Sequence, residues 1–429
     1  MANKVKSKIK SARIITASKG MRDILPADQP FWQKIRDEAH EIAGIYNFKR
    51  IDTPILESAD LFERPLGEAS EVVQKQMFVL STKGGDRLAL RPEGTAGIAR
   101  AYIQHGLSHL GQPLKLFYIG PMFRYERPQA GRARQFHQAG FEIFTSEDDP
   151  IYDAQIVLAC LRTLEAMKIK NLHIHVNSIG CRTCRPVYRK KLVDYYKGKK
   201  VCADCVSRLK INPLRVLDCK DEICQPIIKE APIFVDSLCH TCRKHLRAAL
   251  EYMEELALPY VLNHHLVRGF DYYNRTVFEI FAEGYEGALA AGGRYDYLVE
   301  MLGGRATSAV GGAIGIERAI EVMKIQNVNL SSRTRPKVFF VHIGDLAKKQ
   351  GLTIMEQLIA GGIDVVESLG KESLKSQLKV ADKHSSPLSL IFGQQEAFEG
   401  SIIIRDMKTG AQETVPLKKM IEAIKRKLR

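Results

Sequence analysis

The sequence predicts an α+β core, interrupted by a cysteine-rich, mainly helical insertion and followed by a small α/β domain. Three observations lead there. Helical and strand patterns intermingle over residues 20–175 and return over 251–326. Eight of the nine cysteines crowd into residues 176–250. A polar linker, NVNLSSRTRPK (327–337), then precedes a tail (338–429) in which strands and helices alternate. At 429 residues the chain has room for roughly two to four domains.

Within the tail, VFFVHI (338–343) predicts a strand and residues 346–359 a helix. IDVVES (363–368) predicts a second strand, residues 372–382 a helix, and LSLIF (388–392) a third strand. SIIIRD and QETVPL read as an antiparallel pair around Lys408, Thr409 and Gly410, and a basic helix closes the chain. Such alternation suits one small α/β domain with a largely parallel sheet, a pattern that names no function by itself.

The 45% apolar and 26% charged content belongs to ordinary globular proteins that can build sizeable cores. No uninterrupted apolar stretch approaches the ~18 residues of a membrane span, so no membrane partner is expected. Lysine and arginine number 64 against 49 acids, a formal charge of +15 that fits either a polyanionic partner or a well-solvated surface. Residues 1–18 carry Lys4, Lys6, Lys8, Lys10 and Arg13 without an acid; they read as a solvated basic tail, with an organellar transit segment as the alternative.

Two segments carry chemistry. KLFYIGPMFRYER and RQFHQAGFEIFT are both strand-like, and the loop PQAGRA between them contains proline and glycine, which oppose continued pairing. Arg124, Arg127, Arg132 and Arg134 crowd this hairpin. Side chains two apart on a strand share a face, so Arg124 and Glu126 are expected to point together. An arginine fork binds phosphate oxygens, and a neighbouring carboxylate accepts from an amino group or helps hold a metal. A surface hairpin laced with salt bridges is the plainer alternative. The second segment, SAVGGAIGIERAI, runs from a small-residue strand through Gly311, Gly312 and Gly315 into a helix bearing Glu317 and Arg318. Its glycines let a ligand approach the backbone. The phosphate-binding GxxxxGK[ST] and the dinucleotide GxGxxG spacings are both absent from it.

Taken together these segments resemble the class II aminoacyl-tRNA synthetases. FRYER, a loop and QFHQAGFE match motif 2; AIGIERAI matches motif 3; GIYNFKRIDTPILE (44–57) looks like motif 1. LVRGFDYYNRTVFE (266–279) and AGGRYD (291–296) match the two signatures of the histidyl-tRNA synthetase family, as do KGMRDILP (19–26) and LALRPEGTAGIAR (88–100). Phe270 stands where many relatives have leucine. The resemblance implies a catalytic domain over 19–326 built on an antiparallel sheet, with 176–250 inserted, an anticodon-binding domain over 338–429, a cytoplasmic location and, through motif 1, a homodimer. The partners implied are L-histidine, ATP with Mg2+, and tRNA(His). A regulatory paralogue without aminoacylation activity is the rival, but such proteins lack the C-terminal domain that this chain keeps.

The residue roles implied are specific. Arg124 and Arg268 grip the α-phosphate and the histidine carboxylate, Arg318 holds the ATP tail, and Glu126 joins Arg124 and Arg318 in the ATP site. Glu93, Gly94, Thr95, Gln138 and Glu142 form the amino-acid pocket with Tyr272, Tyr273 and Tyr295. An ammonium has three donors to satisfy, and a neutral imidazole offers one donor and one acceptor, so carboxylates and hydroxyls suit both. A pocket this polar rejects isosteres unaided, and no editing domain is expected. Arg127, Gln129 and Arg132 of the motif 2 loop face the tRNA acceptor end.

The insertion offers Cys181-x2-Cys184, Cys202-x2-Cys205 and Cys239-x2-Cys242, with Cys219-x4-Cys224 as a fourth pair. Two CxxC pairs complete one tetrahedral zinc site of structural type. The favoured pairing joins 181/184 to either 202/205 or 239/242; free thiols and redox chemistry are the alternatives. Cys160, on an apolar helical pattern, is read as core.

Overall fold

The structure, a computed structural model, describes residues 14–66, 72–128, 131–330, 337–368, 370 and 373–428. The chain divides into two compact units, Met1–Leu330 and Ser331–Arg429.

An eight-stranded sheet organises the first unit. Its strands are β1 (Lys49–Arg50), β2 (Leu114–Phe123), β3 (Gln135–Thr145), β4 (Leu172–Ser178), β5 (Tyr260–Leu262), β6 (Asn274–Ala282), β7 (Ala290–Arg294) and β8 (Ser308–Gly315), in the order β1-β2-β3-β8-β7-β6-β4-β5. All pairings from β2 to β4 are antiparallel, as expected. Only the edge pairs β1–β2 and β4–β5 are parallel. Alternation of side chains across the pleat separates two faces. On one face Phe117, Phe141, Ile143 and Ile314 pack under helices Gln29–Ile45, Ile151–Ala166 and Ile316–Ile325. The first of these buries Trp32, Ile35, Ala39 and Ala43, a stripe at helical spacing. Cys160 is buried in the second, as read from the sequence.

The opposite face bears the functional residues. Tyr118, Glu142 and Glu279 project there, because each alternates with a neighbour committed to the helical side. Residues directly opposite in register form a row: Tyr118, Gly140, Ala313, Ala291, Glu279. Three small residues in the middle make a trough between a tyrosine wall and a glutamate wall. The insertion closes one end. It is mainly helical, with Cys184–Tyr196, Ala203–Ile211 and His240–Glu255, the last two separated by the short helical pieces Pro213–Asp218, Gln225–Lys229 and Phe234–Ser237.

In the second unit, β9 (Val338–His342), β10 (Val365–Glu367), β11 (Leu388–Phe392), β12 (Ser401–Asp406) and β13 (Gln412–Pro416) form a sheet in the order β10-β9-β11-β12-β13. Helices Asp345–Ala360 and Leu374–Lys383 are the two crossovers foreseen. β10-β9-β11 pair parallel, β12 and β13 form the antiparallel pair read from the sequence, and β12 also runs antiparallel to β11. The short helix Gln394–Glu399, unforeseen in the sequence, lets the chain turn back so that β12 runs against β11.

Candidate active site

Glu142 lies at the centre of one end of the trough, 1% exposed. Its carboxylate accepts from the Tyr295 hydroxyl, and at 2.8 Å from the Thr95 hydroxyl. Burial outweighs these two bonds, and nearby Glu93 adds repulsion, so the carboxyl is pushed up to about 8. Glu93 itself accepts from the backbone N–H groups of Thr95 and Ala96 at 2.7 and 2.8 Å, while burial still raises it. Those bonds place the acid at the start of helix Thr95–Gln104, where N–H groups lack helical partners. Tyr272, Tyr273 and Tyr295 pack with ring centroids 4.6–6.3 Å apart, and the Tyr272 hydroxyl donates to Glu93 at 3.4 Å. Among the described residues the side-chain oxygen of Gln138 is buried without a hydrogen-bond partner, on the face of β3 that carries Glu142. It is a ready acceptor for an ammonium group.

Tyr118 was not singled out from the sequence, yet it shapes the pocket. Its ring lies across Gly94 and Gly140, where an added methyl would stand 2.5 and 2.3 Å from ring atoms. Gly94 therefore contributes by yielding space. Gly311 is tighter still: a β-carbon there would sit 1.6 Å from the Glu142 carboxylate. Gly311→Ala is expected to displace Glu142 and to lose roughly 2 kcal/mol or more of stability, read as a fall in Tm; an unshifted melting curve would refute this packing.

The three arginines converge on the same trough. Arg124 donates through Nε to the Pro92 carbonyl at 2.9 Å, and its guanidinium lies 5.0 and 5.4 Å from the ring centres of Phe136 and Phe270. Burial lowers Arg124, and Arg268 is close enough for its charge to add to that. Arg268 pairs with Glu279 and lies 5.7 Å from the Tyr273 ring centre. Burial pulls Arg268 down, but Glu279 together with Tyr273, Tyr272 and Asp218 more than offsets it. Arg318 donates to the carbonyls of Ala288 (2.9 Å) and Gly131 (3.3 Å), and its charge is felt at Glu279. Glu279 thus neighbours both distal arginines, a link absent from the sequence reading although this residue ends the LVRGFDYYNRTVFE segment.

One expectation is corrected. Arg124 and Glu126 do not lie on a strand: β2 ends at Phe123, and the Glu126 N–H turns back to the Arg124 carbonyl at 2.8 Å. The two charges still meet through this turn. Among the described residues Glu126 makes a loose 3.8 Å approach to Arg132, leaving lone pairs for a further cation. Arg127 and Arg132 are exposed, and Gln129 lies outside the described residues. Glu317 anchors the motif 3 helix by accepting from the His137 backbone N–H at 2.9 Å and approaching its Nδ1 at 2.8 Å.

The cysteines sort differently from one of the two pairings considered. Cys181 and Cys184 join Cys239 and Cys242; Cys202 and Cys205 join Cys219 and Cys224 instead. The helical path of the insertion brings 239/242 beside 181/184 through the start of helix His240–Glu255, so the 181/184 with 202/205 combination is ruled out. Cys219 and Cys224 escaped the candidate set because their four-residue gap departs from CxxC.

A histidyl-tRNA synthetase family model matches residues 20–183 and 230–319, and an anticodon-binding domain model matches 337–427. The histidine–tRNA ligase of Dehalococcoides mccartyi is 42% identical over 414 residues, covering 96% of this chain and 99% of that protein. The chain belongs to the histidyl-tRNA synthetase family. The family's histidine–tRNA ligase from Aquifex aeolicus is 44% identical, covering 95% and 100% of the two chains. The crystal structure of apo Staphylococcus aureus histidyl-tRNA synthetase superposes with a TM-score of 0.79 at 32% identity, covering 96% of this chain and all of that one. Within this family membership, the stretch between residues 183 and 230, carrying the second cysteine set, falls outside the catalytic family model.

Proposed function

We propose that the chain activates L-histidine with ATP, giving histidyl-adenylate and pyrophosphate, and then transfers histidine to the 3′ end of tRNA(His). The observation that carries this reading is one trough in which Arg124, Arg268 and Arg318 surround the space beside the Glu93–Glu142–tyrosine pocket.

In the first step a histidine carboxylate oxygen attacks the α-phosphorus and pyrophosphate leaves. Negative charge builds on the α-phosphate oxygens, and Arg124 and Arg268 stabilise it from fixed positions. Arg318 holds the distal phosphates. The small-residue floor admits the nucleotide close to the backbone. Glu93 and the free oxygen of Gln138 accept from the histidine ammonium, while Glu142, Tyr273 and Tyr295 meet the imidazole nitrogens. Glu126, with its unused lone pairs, fits a magnesium ion held chiefly by ATP oxygens; when bound, that ion neutralises phosphate charge. In the second step a terminal ribose hydroxyl attacks the carbonyl carbon and AMP leaves.

Exposed Arg127 and Arg132, together with Gln129, meet the acceptor end, and the second unit reads the anticodon, whose unpaired bases can be stacked and hydrogen-bonded. Side chains of Ile55, Leu56, Val79 and Leu80 stand 41–49% exposed near motif 1, apolar surface that supports a homodimer. Among the described residues no helix is long and apolar enough to cross a membrane, in keeping with a cytoplasmic setting. Cys181, Cys184, Cys239 and Cys242 suit one structural zinc ion.

Amino-acid-dependent exchange of pyrophosphate into ATP, run across all amino acids, tests the activity. Exchange with histidine alone is expected. Exchange driven by a different amino acid, or by none in an active preparation, would overturn the reading.

A further inference from the structure

The second cysteine set has metal-site geometry of its own. Sulfurs of Cys202, Cys205, Cys219 and Cys224 all lie within 4.8 Å of one another, with Cys202 and Cys219 3.7 Å apart. A disulfide needs about 2.05 Å. Four thiolates each about 2.3 Å from one tetrahedral ion stand about 3.8 Å from their neighbours. Backbone N–H groups already point at these sulfurs: Cys202 donates to Cys224 at 3.3 Å, Cys205 to Cys202 at 3.4 Å and Asp221 to Cys219 at 3.4 Å. Such donors fix ligand orientation and spread thiolate charge.

Apolar burial in this segment lies mainly after the helix, at Pro213, Val216 and Leu217. In helix Ala203–Ile211 the buried residue is Cys205; Val206 and Ile211 are 47% and 44% exposed. With Cys205 buried and Leu209 only partly buried against the core, a nine-residue helix is marginal in water on its own. Four thiolates on one ion would hold it, since ligand binding energy becomes folding energy.

What this segment delivers is the insertion's face toward the reaction centre. Asn212, at the end of the helix, donates to the Asp271 carboxylate at 2.7 Å, inside the segment that carries Arg268, Tyr272 and Tyr273. Asp218 directly precedes Cys219, and Lys220 follows it. Asp218 lies close enough to bear on both Arg268 and Glu279, and Lys220 on Glu279. Cys205, Cys219 and Cys224 belong to one buried cluster with Tyr272, Tyr273 and Tyr295. A cleft of about 550 Å³ between the two sides is lined by Arg185, Asn212, Arg268, Phe270 and Asp271, among others.

We propose that the chain binds two zinc-class divalent ions, and that the second, held by Cys202, Cys205, Cys219 and Cys224, is a positioning element that braces the insertion against the segment bearing Arg268. The metal count goes beyond the histidine reading and is measured without substrate; only the kinetic effect rests on that reading.

Elemental analysis of the full chain, purified reduced and without chelator, is expected to find two equivalents of zinc. One or none overturns the proposal. A Cys202→Ser/Cys219→Ser double variant should retain one equivalent, and two retained equivalents overturn the assignment. In that variant kcat for histidine-dependent exchange should fall about tenfold, the lower range for losing support around a metal site, while KM for ATP shifts less. An unchanged kcat refutes the bracing role. Should the variant fail to fold, cobalt titration of the metal-stripped natural chain decides: tetrahedral thiolate absorption saturating at two equivalents is expected, and saturation at one overturns the second site.

Discussion

Replacing Arg268 by alanine lowers kcat for histidine-dependent pyrophosphate exchange at least a hundredfold, about 3 kcal/mol of lost transition-state stabilisation. The size follows from where the guanidinium sits. It is part-buried beside Tyr273, paired with Glu279 and electrically close to Arg124, so its charge acts in a medium poorer than water at screening. The same truncation strands Glu279, whose carboxyl burial already raises. Breaking this part-buried pair from one side costs up to about 3 kcal/mol of stability, which could be mistaken for a catalytic effect. Arg268→Ala combined with Glu279→Gln separates the two: melting temperature recovers while kcat does not. An Arg268→Ala enzyme within tenfold of the natural rate would remove this residue from the chemistry.

Above pH 8, where Glu142 is ionised, Glu142→Gln should raise KM for histidine roughly a hundredfold, since an amide gives up a charge-assisted contact worth about 2–3 kcal/mol. The same change should make the ligand-free protein more stable above pH 8. Glu142 is pushed up to about 8 by burial, far above its value in an unfolded chain. The folded state therefore holds a proton that the unfolded state has released, and the stability this provides is complete at acid pH and lost as pH rises through about 8. The alkaline penalty approaches roughly 4–5 kcal/mol, and the glutamine variant escapes it. Thermal melts of both proteins from pH 6 to 9 without substrate measure this. Parallel curves would show that Glu142 is not a buried acid of this kind.

The sequence exposed most of the site because its residues sit in short runs with unusual demands. RPEGT must turn a buried acid onto a helix start, and AIGIER must strip side chains from a strand before placing an arginine at the helix that follows. Long-range partners left weaker traces. Glu279 was in view as a letter, but its pairing with Arg268 depends on the register of β6 and on the irregular path of residues 266–273. Tyr118 looked like any strand aromatic until the register set it opposite Gly140. The turn at Arg124 was hidden because FRYER has strand composition, and the break shows where the Glu126 N–H turns back to the Arg124 carbonyl. The cysteine pairing stayed open between 202/205 and 239/242 for a related reason: spacing identifies neighbours in the chain, whereas which sulfurs meet is set by how helices fold back.

The row Gly140, Ala313, Ala291 has an entropic consequence for recognition. A flat ligand settling on it meets peptide planes and methyl groups, which have no rotamers to surrender on association. Whatever affinity the walls provide is consequently not eroded from below, and discrimination between one heterocycle and another is left wholly to the groups around the edge.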